Sequence, residues 1–171
     1  MEKATIILGL GSNIGNRLET LQKACQLLHN HGIRFIQSAS IYESEAWGFE
    51  TTQTFYNTVI QCETTLNAFE VLETTQAIEK TLGRTTKSHL GNYSSRTIDI
   101  DIVFFNNLVI NSEKLTIPHP LFSKRNFVLT PLNELIPSYI DPRTNLPIAT
   151  LAKNSNDASK VFVVHNPIFV N

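Results

Sequence analysis

The chain is short of several things, and each shortage narrows what it can be. Its two cysteines, Cys25 and Cys62, stand without a C-x-x-C or a nearby histidine, which argues against a disulfide framework or a zinc site and fits a reducing compartment. Both read as packing residues. Charge of either sign is not in surplus: 14 Lys plus Arg against 15 Asp plus Glu leave a net charge of −1. That balance argues against a general binder of nucleic acid or anionic membrane, so any positive site has to be local. Long hydrophobic runs are missing too, since the stretch Ala4 to Leu10 is far too short to span a bilayer. Glu2 and Lys3 do not make the basic start of a cleavable signal, and a cytoplasmic protein is expected. No G-x-x-x-x-G-K-S/T phosphate loop occurs, and there is no internal repeat, low-complexity tract or linker. At 171 residues the chain fits one domain, 1–171, with a core of its own.

What is present has a clear periodicity. Thr5 to Leu10 is apolar and β-rich, and Gly11, Ser12, Asn13 and Gly15 read as a turn. Leu18, Leu21, Cys25 and Leu28 then recur at helical spacing up to Gly32. Ile33 to Tyr42 and Phe55 to Thr65 read as strands, separated by a polar and aromatic segment. Asn67 with Glu70 resembles a capping box for a helix carrying Val71, Leu72, Ile78 and Leu82, closed at Gly83. The order β-α-β-β-α-β over residues 5 to 105 predicts an α+β, ferredoxin-like fold: a mainly antiparallel sheet with helices on one side and the other face free for a ligand. Asn106-Asn107 suits a tight hairpin turn into Leu108 to Ile110. Pro118, Pro120, Pro131 and Pro137 then break the chain into a C-terminal extension of short helices and turns, with a late strand at Val161 to Val164.

One strand carries an oddity. In RTIDIDIVFF, Ile98, Ile100, Ile102 and Phe104 share one face and Asp99 and Asp101 the other. Two carboxylates roughly 7 Å apart on one face repel unless a cation sits between them. Such a pair is also what ordinary solvated surface looks like, so its neighbours decide. Arg84, Lys87, His89 and Arg96 precede it, and Lys114, His119, Lys124 and Arg125 follow. A carboxylate pair flanked by cations matches metal-assisted phosphoryl transfer, in which fixed cations take up developing charge. In TFYNTVIQ, Phe55 and Asn57 share a face, a ring beside an amide, which suits a flat heterocycle as well as core. GLGSNIGN invites a dinucleotide reading, but G-x-G-x-x-x-G is the wrong spacing; the choice there is between a structural turn and a ligand-lining role for Ser12 or Asn13.

Taken in order, Gly11-Ser12-Asn13, Phe55-Tyr56-Asn57, Gln76 with Glu79, Gly83-Arg84, Ser95 to Ile102, Leu115 to Pro120 and Arg125 with Phe127 resemble the hydroxymethyldihydropterin pyrophosphokinases of folate biosynthesis over about residues 4 to 137. The resemblance implies transfer of pyrophosphate from ATP to the hydroxymethyl group of 6-hydroxymethyl-7,8-dihydropterin, releasing AMP, by in-line attack on the β-phosphorus. It implies ATP as co-substrate and two Mg²⁺ ions held by Asp99 and Asp101. It assigns Ser44, Phe55, Asn57 and Phe127 to the pterin. It assigns Gln76, Arg84, Arg96, Ile102, Lys114, Thr116, His119 and Arg125 to ATP. Arg84 and Arg96 join the two aspartates as catalytic groups, at the ends of a lid from Arg84 to Arg96. Small-molecule substrates, no nucleic acid, no membrane and a monomer are expected. Two readings compete: a regulatory ferredoxin-like domain using the aspartates only for solubility, and nucleotide-dependent reduction through GLGSNIGN.

Overall fold

The computed structural model describes residues 2–45, 53–83 and 97–171. Its strands are β1 (Ala4–Ser12), β2 (Ile33–Ser38), β3 (Ile41–Ser44), β4 (Phe55–Thr64), β5 (Asp99–Phe105), β6 (Ile110–Asn111), β7 (Thr116–Ile117) and β8 (Val161–His165). Its helices are α1 (Arg17–Asn30), α2 (Ala68–Thr81), α3 (Asn126–Leu135) and α4 (Ile148–Lys153).

In β1 the residues Ile6, Leu8 and Leu10 point to one side and Ile7 to the other, and all four are buried. A strand buried on both faces belongs inside a sheet. The order is β5-β1-β4-β3-β8, with β2 also on β4, and every pairing is antiparallel. Without β8 this is the ferredoxin-like order that the β-α-β-β-α-β reading predicts.

Helices α1 and α2 cover one face. Leu21, Ala24, Cys25 and Leu28 of α1 and Val71, Leu72 and Ile78 of α2 pack on Ile6, Leu8, Ile60, Ile98, Ile100 and Ile102. Each fully buried aliphatic side chain contributes about 1.5–3 kcal/mol. Both cysteines are buried here, and burial pushes the Cys25 thiol up to about 12, which leaves it inert. The capping box is present: Asn67 accepts from Phe69 N and Glu70 N at 3.0 Å, and Glu70 Oε2 accepts from Asn67 N at 2.7 Å. Gly83, at φ +100°, ends α2 in a conformation other residues rarely adopt.

The structure corrects several expectations. The strand expected over Ile33 to Tyr42 breaks at Ala39-Ser40 into β2 and β3, because Glu134 of α3 takes the Ser40 N–H at 2.8 Å and the Ser40 hydroxyl at 2.9 Å. Gly11 and Ser12 are the last strand residues of β1 rather than part of the turn, which begins beyond Ser12. Phe104 does not share a face with Ile98, Ile100 and Ile102. Ile7 pairs with Phe104 and Leu8 with Ile102, so Val103 is an extra residue, a bulge, and Phe104 turns onto the opposite face against Phe122 and Tyr139. Asn106 does turn the chain, at φ 45°, but β6 pairs with β7 rather than back onto β5. Pro131 lies inside α3 rather than ending it.

The second sheet face is not wholly free either. Ile7, Val59, Val103 and Phe104 pack there against Phe122, Leu129 and Leu132 and against Ile148 of α4. The C-terminal extension therefore covers one end of that face and leaves the other end as a cleft. β8 pairs with β3, and Ile168 is buried in the first core. Among the described residues no helix is long and apolar enough to cross a membrane.

Candidate active site

The register of the sheet builds the cleft. Gly11 of β1 lies between Asn57 of β4 and Asp99 of β5, and Gly9 lies between Val59 and Asp101. Two positions without side chains in the middle strand leave a trough, with an amide on one bank and two carboxylates on the other. Strands one apart in a sheet are separated by about twice 4.8 Å, so the banks stand roughly 10 Å apart, the width of a small heterocycle with its substituent. The close approach is measurable: a Cβ on Gly11 would sit 2.9 Å from Asn57 Oδ1. The resulting solvent-open cleft, ≈730 Å³, is lined by Gly9, Gly11, Ser44, Phe55, Asn57, Asp99, Asp101, His119, Arg125 and Phe127 among others.

On the neutral bank Asn57 is buried and donates from Nδ2 to Ser44 Oγ at 2.7 Å. That bond fixes which end of the amide faces Gly11. Ser44 ends β3 and Phe55 opens β4, and the two are partners in the ladder. A guanidinium holds this pair from the other side of the sheet. Arg17 donates to the Thr54 carbonyl at 2.9 Å and to Thr54 Oγ1 at 2.7 Å, lies 3.5 Å from Glu43 Oε2, and stacks 3.8 Å over the Tyr56 ring. The sequence reading missed Arg17, because nothing local links position 17 to positions 43 and 54.

On the acidic bank Asp99 and Asp101 both face the cleft, as their alternation requires. Ile100 between them faces the helices, and its N–H donates at 2.8 Å to Glu79, a carboxylate buried on α2. Glu79 thereby pins the aspartate-bearing strand from behind. His119 stands opposite, its Nε2 3.8 Å from Asp101 Oδ2. The Leu121 N–H donates to His119 Nδ1 at 3.2 Å, which requires Nδ1 to be unprotonated and leaves the proton of the neutral ring on Nε2. Burial lowers the His119 pKa, against the opposing pull of Asp101, in keeping with that neutral tautomer. The ring is thus a donor aimed at the acidic bank.

Arg125 is buried and its guanidinium lies 5.5 Å from the Phe127 ring centroid. Among the described residues no group of three or more His, Cys, Asp or Glu could hold a metal ion unaided. Two carboxylates lining one cleft suit Mg²⁺ whose remaining oxygens come from phosphate and water.

The structure thus brings together Ser44, Phe55, Asn57, Asp99, Asp101, His119, Arg125 and Phe127. Gln76, Ile102, Lys114 and Thr116 do not line this cleft. Ile102 is buried toward the helices, and Lys114 is exposed and reaches Glu73 on α2, one turn from Gln76, at 3.5 Å. Arg84, Arg96 and the rest of the expected lid fall outside the described residues. Ser12 and Asn13 are buried but do not line the cleft. With Gly9 and Gly11 inside β1, the turn into α1 keeps Gly15 alone of the three glycines, not the glycine-rich loop that dinucleotide binding needs.

A family model for 7,8-dihydro-6-hydroxymethylpterin-pyrophosphokinase matches residues 7–137. The chain is 44% identical over 129 residues to the 2-amino-4-hydroxy-6-hydroxymethyldihydropteridine pyrophosphokinase of Bacillus subtilis, covering 75% of each. It is 39% identical to the protein of that name from Porphyromonas gingivalis W83, covering 84% of this chain and 98% of the relative. Among solved structures, an HPPK-DHPS in complex with substrates superposes with TM-score 0.72 at 16% identity over 90% of this chain. The Plasmodium falciparum HPPK-DHPS with SDX-DHP gives 0.70 at 18% over 89%. This chain spans only 43% and 44% of those two chains, so they speak to the fold alone.

Proposed function

The chain belongs to the 7,8-dihydro-6-hydroxymethylpterin-pyrophosphokinase family, and from that premise we propose that it transfers pyrophosphate from ATP to the hydroxymethyl group of 6-hydroxymethyl-7,8-dihydropterin, releasing AMP. The observation that carries this is the trough: an amide bank and an acidic bank facing each other across Gly9 and Gly11. A pterin needs a flat slot and an edge reader, and a triphosphate needs its charge neutralised. The two banks offer one each.

In this reading Phe55 and Phe127 hold the ring between them, and Asn57 and Ser44 bond its edge. The hydroxymethyl arm then points across the glycine floor toward β5. Asp99 and Asp101 would hold Mg²⁺, two ions as the resemblance implies, with phosphate oxygens supplying further ligands. When bound, that metal neutralises phosphate oxygens and so favours attack on phosphorus. His119 donates its Nε2 proton to a phosphate oxygen, and Arg125 adds a fixed positive charge beside Phe127. The substrate oxygen bonds to the β-phosphorus in line with the bond to the α-phosphate oxygen, which breaks; AMP departs with that oxygen, and the hydroxyl proton passes to water in the solvent-open cleft. Positioning supplies most of the rate, because the protein forms no covalent bond. Gln76, Ile102, Lys114 and Thr116 are assigned to ATP beyond the cleft, and Arg84 and Arg96 to a closing segment, on the resemblance.

Incubating the protein with ATP, Mg²⁺ and the reduced pterin tests the reading. AMP is expected only when all three are present; ADP as product would overturn it. Asp99→Ala and Asp101→Ala are each expected to lower turnover by about a thousandfold or more with an unchanged melting temperature, because both serve the cleft rather than the core.

A further inference from the structure

The α3 bank of the cleft is held by a segment outside the region that the family model matches. Arg125 and Phe127 both line the cleft, and Asn126 lies between them as the first residue of α3. The helix has no side-chain cap of its own at Arg125. Asp157 supplies one from elsewhere: its Oδ2 accepts the Asn126 backbone N–H at 2.8 Å, placing a carboxylate at the positive end of the helix. The Asn126 side chain is engaged as well. Its Nδ2 donates to the carbonyls of Asp157 at 2.7 Å and Ser159 at 3.1 Å, and its Oδ1 accepts from Ser155 Oγ at 2.9 Å. The 155–159 loop is braced internally, with Ser159 N on Asp157 Oδ1 at 2.9 Å and Asp157 N on Ser155 Oγ at 3.2 Å. Burial alone would raise the Asp157 carboxyl, but the Asn126 and Ser159 donors outweigh it and hold the group below the usual aspartate range, so it is ionised at neutral pH.

Fixing both the backbone and the side chain of residue 126 leaves the start of α3 a single orientation. We propose that Asp157 and Asn126 form a positioning clamp that sets where Phe127 stands opposite Phe55, and so tunes the heterocycle subsite from the C-terminal segment. The proposal rests on the functional reading above. It separates this bank from the Asn57 bank, which Arg17 and Ser44 hold independently.

Calorimetry with the reduced pterin and with a non-hydrolysable ATP analogue, on wild type and variants, reads the clamp. Asp157→Ala is expected to weaken pterin binding about tenfold while analogue binding stays within about twofold. Asp157→Asn, which keeps an acceptor for the Asn126 N–H, is expected to recover part of the loss. If Asp157→Ala does not fold, Ser155→Ala, which removes the bond to Asn126 Oδ1 and the brace from Asp157 N but keeps the Asp157 carboxylate, is expected to weaken pterin alone, by about two- to threefold. A folded Asp157→Ala with wild-type pterin affinity, or in its place an unaffected Ser155→Ala, overturns the clamp. Equal losses for both ligands overturn it too, since they indicate general softening. Wild type that binds no pterin overturns the functional reading, and the clamp with it.

Discussion

A methyl group on Gly11 would lie 2.9 Å from Asn57 Oδ1, whereas one on Gly9 would meet Val103 Cγ2 at an ordinary 3.5 Å. The two glycines therefore differ in what they protect. Asn57 cannot retreat freely, because its Nδ2 is bonded to Ser44, so a Cβ at position 11 has to displace the amide or the strand. Gly11→Ala is expected to weaken pterin binding about tenfold, measured by calorimetry, with Gly9→Ala milder at that bank. Equal effects at both positions would show that the floor, rather than the Asn57 contact, governs binding. At this scale the aspartates, Phe55 and Asn57 were legible because alternation along a strand assigns faces without knowledge of neighbours. Gly11 was misread as a turn residue. Its role depends on what stands across β1 in the next strand, and that is a property of register.

The α2 cap, whose signal lies within a few residues, was read correctly, and two features whose signals lie across the sheet were not. The α2 capping box needs only Asn67 and Glu70 and was found at those positions. The bulge at Val103 answers to the pairing of β5 with β1, so Phe104 was placed on the wrong face. The break between β2 and β3 answers to Glu134, 94 residues from Ser40. The cap offers a clean measurement because it lies away from the cleft. Asn67→Ala leaves the Phe69 and Glu70 N–H groups without their side-chain acceptor and is expected to cost about 1 kcal/mol. For a chain of this size that lowers the melting temperature by roughly 2–4 °C. A melt indistinguishable from wild type would mean that water or a shifted first turn replaces the cap.

The whole molecule is larger than the region that defines its family. Residues 7–137 match the family model, yet the first core includes Ile168, 4% exposed, and the Ile168 N–H donates to the buried Ser38 Oγ at 2.7 Å. β8 completes the sheet beside β3, the strand that ends at Ser44. Little of this was legible beyond a late strand, because most large side chains of the tail carry no inward pattern: Phe162, Val163 and Phe169 are 61%, 59% and 85% exposed. The tail is attached by backbone pairing, by Ile168 with the partly buried Val170, by the His165 ring against Tyr56 and by the Asp157 contacts, not by a continuous hydrophobic face. Removing residues 154–171 should therefore cost more than Ile168→Ala alone, which by the loss of a buried aliphatic side chain is about 2–5 kcal/mol. Set against a total stability of about 5–15 kcal/mol for a typical domain, that loss is large. Urea unfolding is expected to show a much lower midpoint for the truncated chain, an intermediate one for Ile168→Ala, and no change for Phe169→Ala. A truncated chain as stable as the full one would mean that β3 and the first core close without the tail, and that its attachment serves the cleft alone.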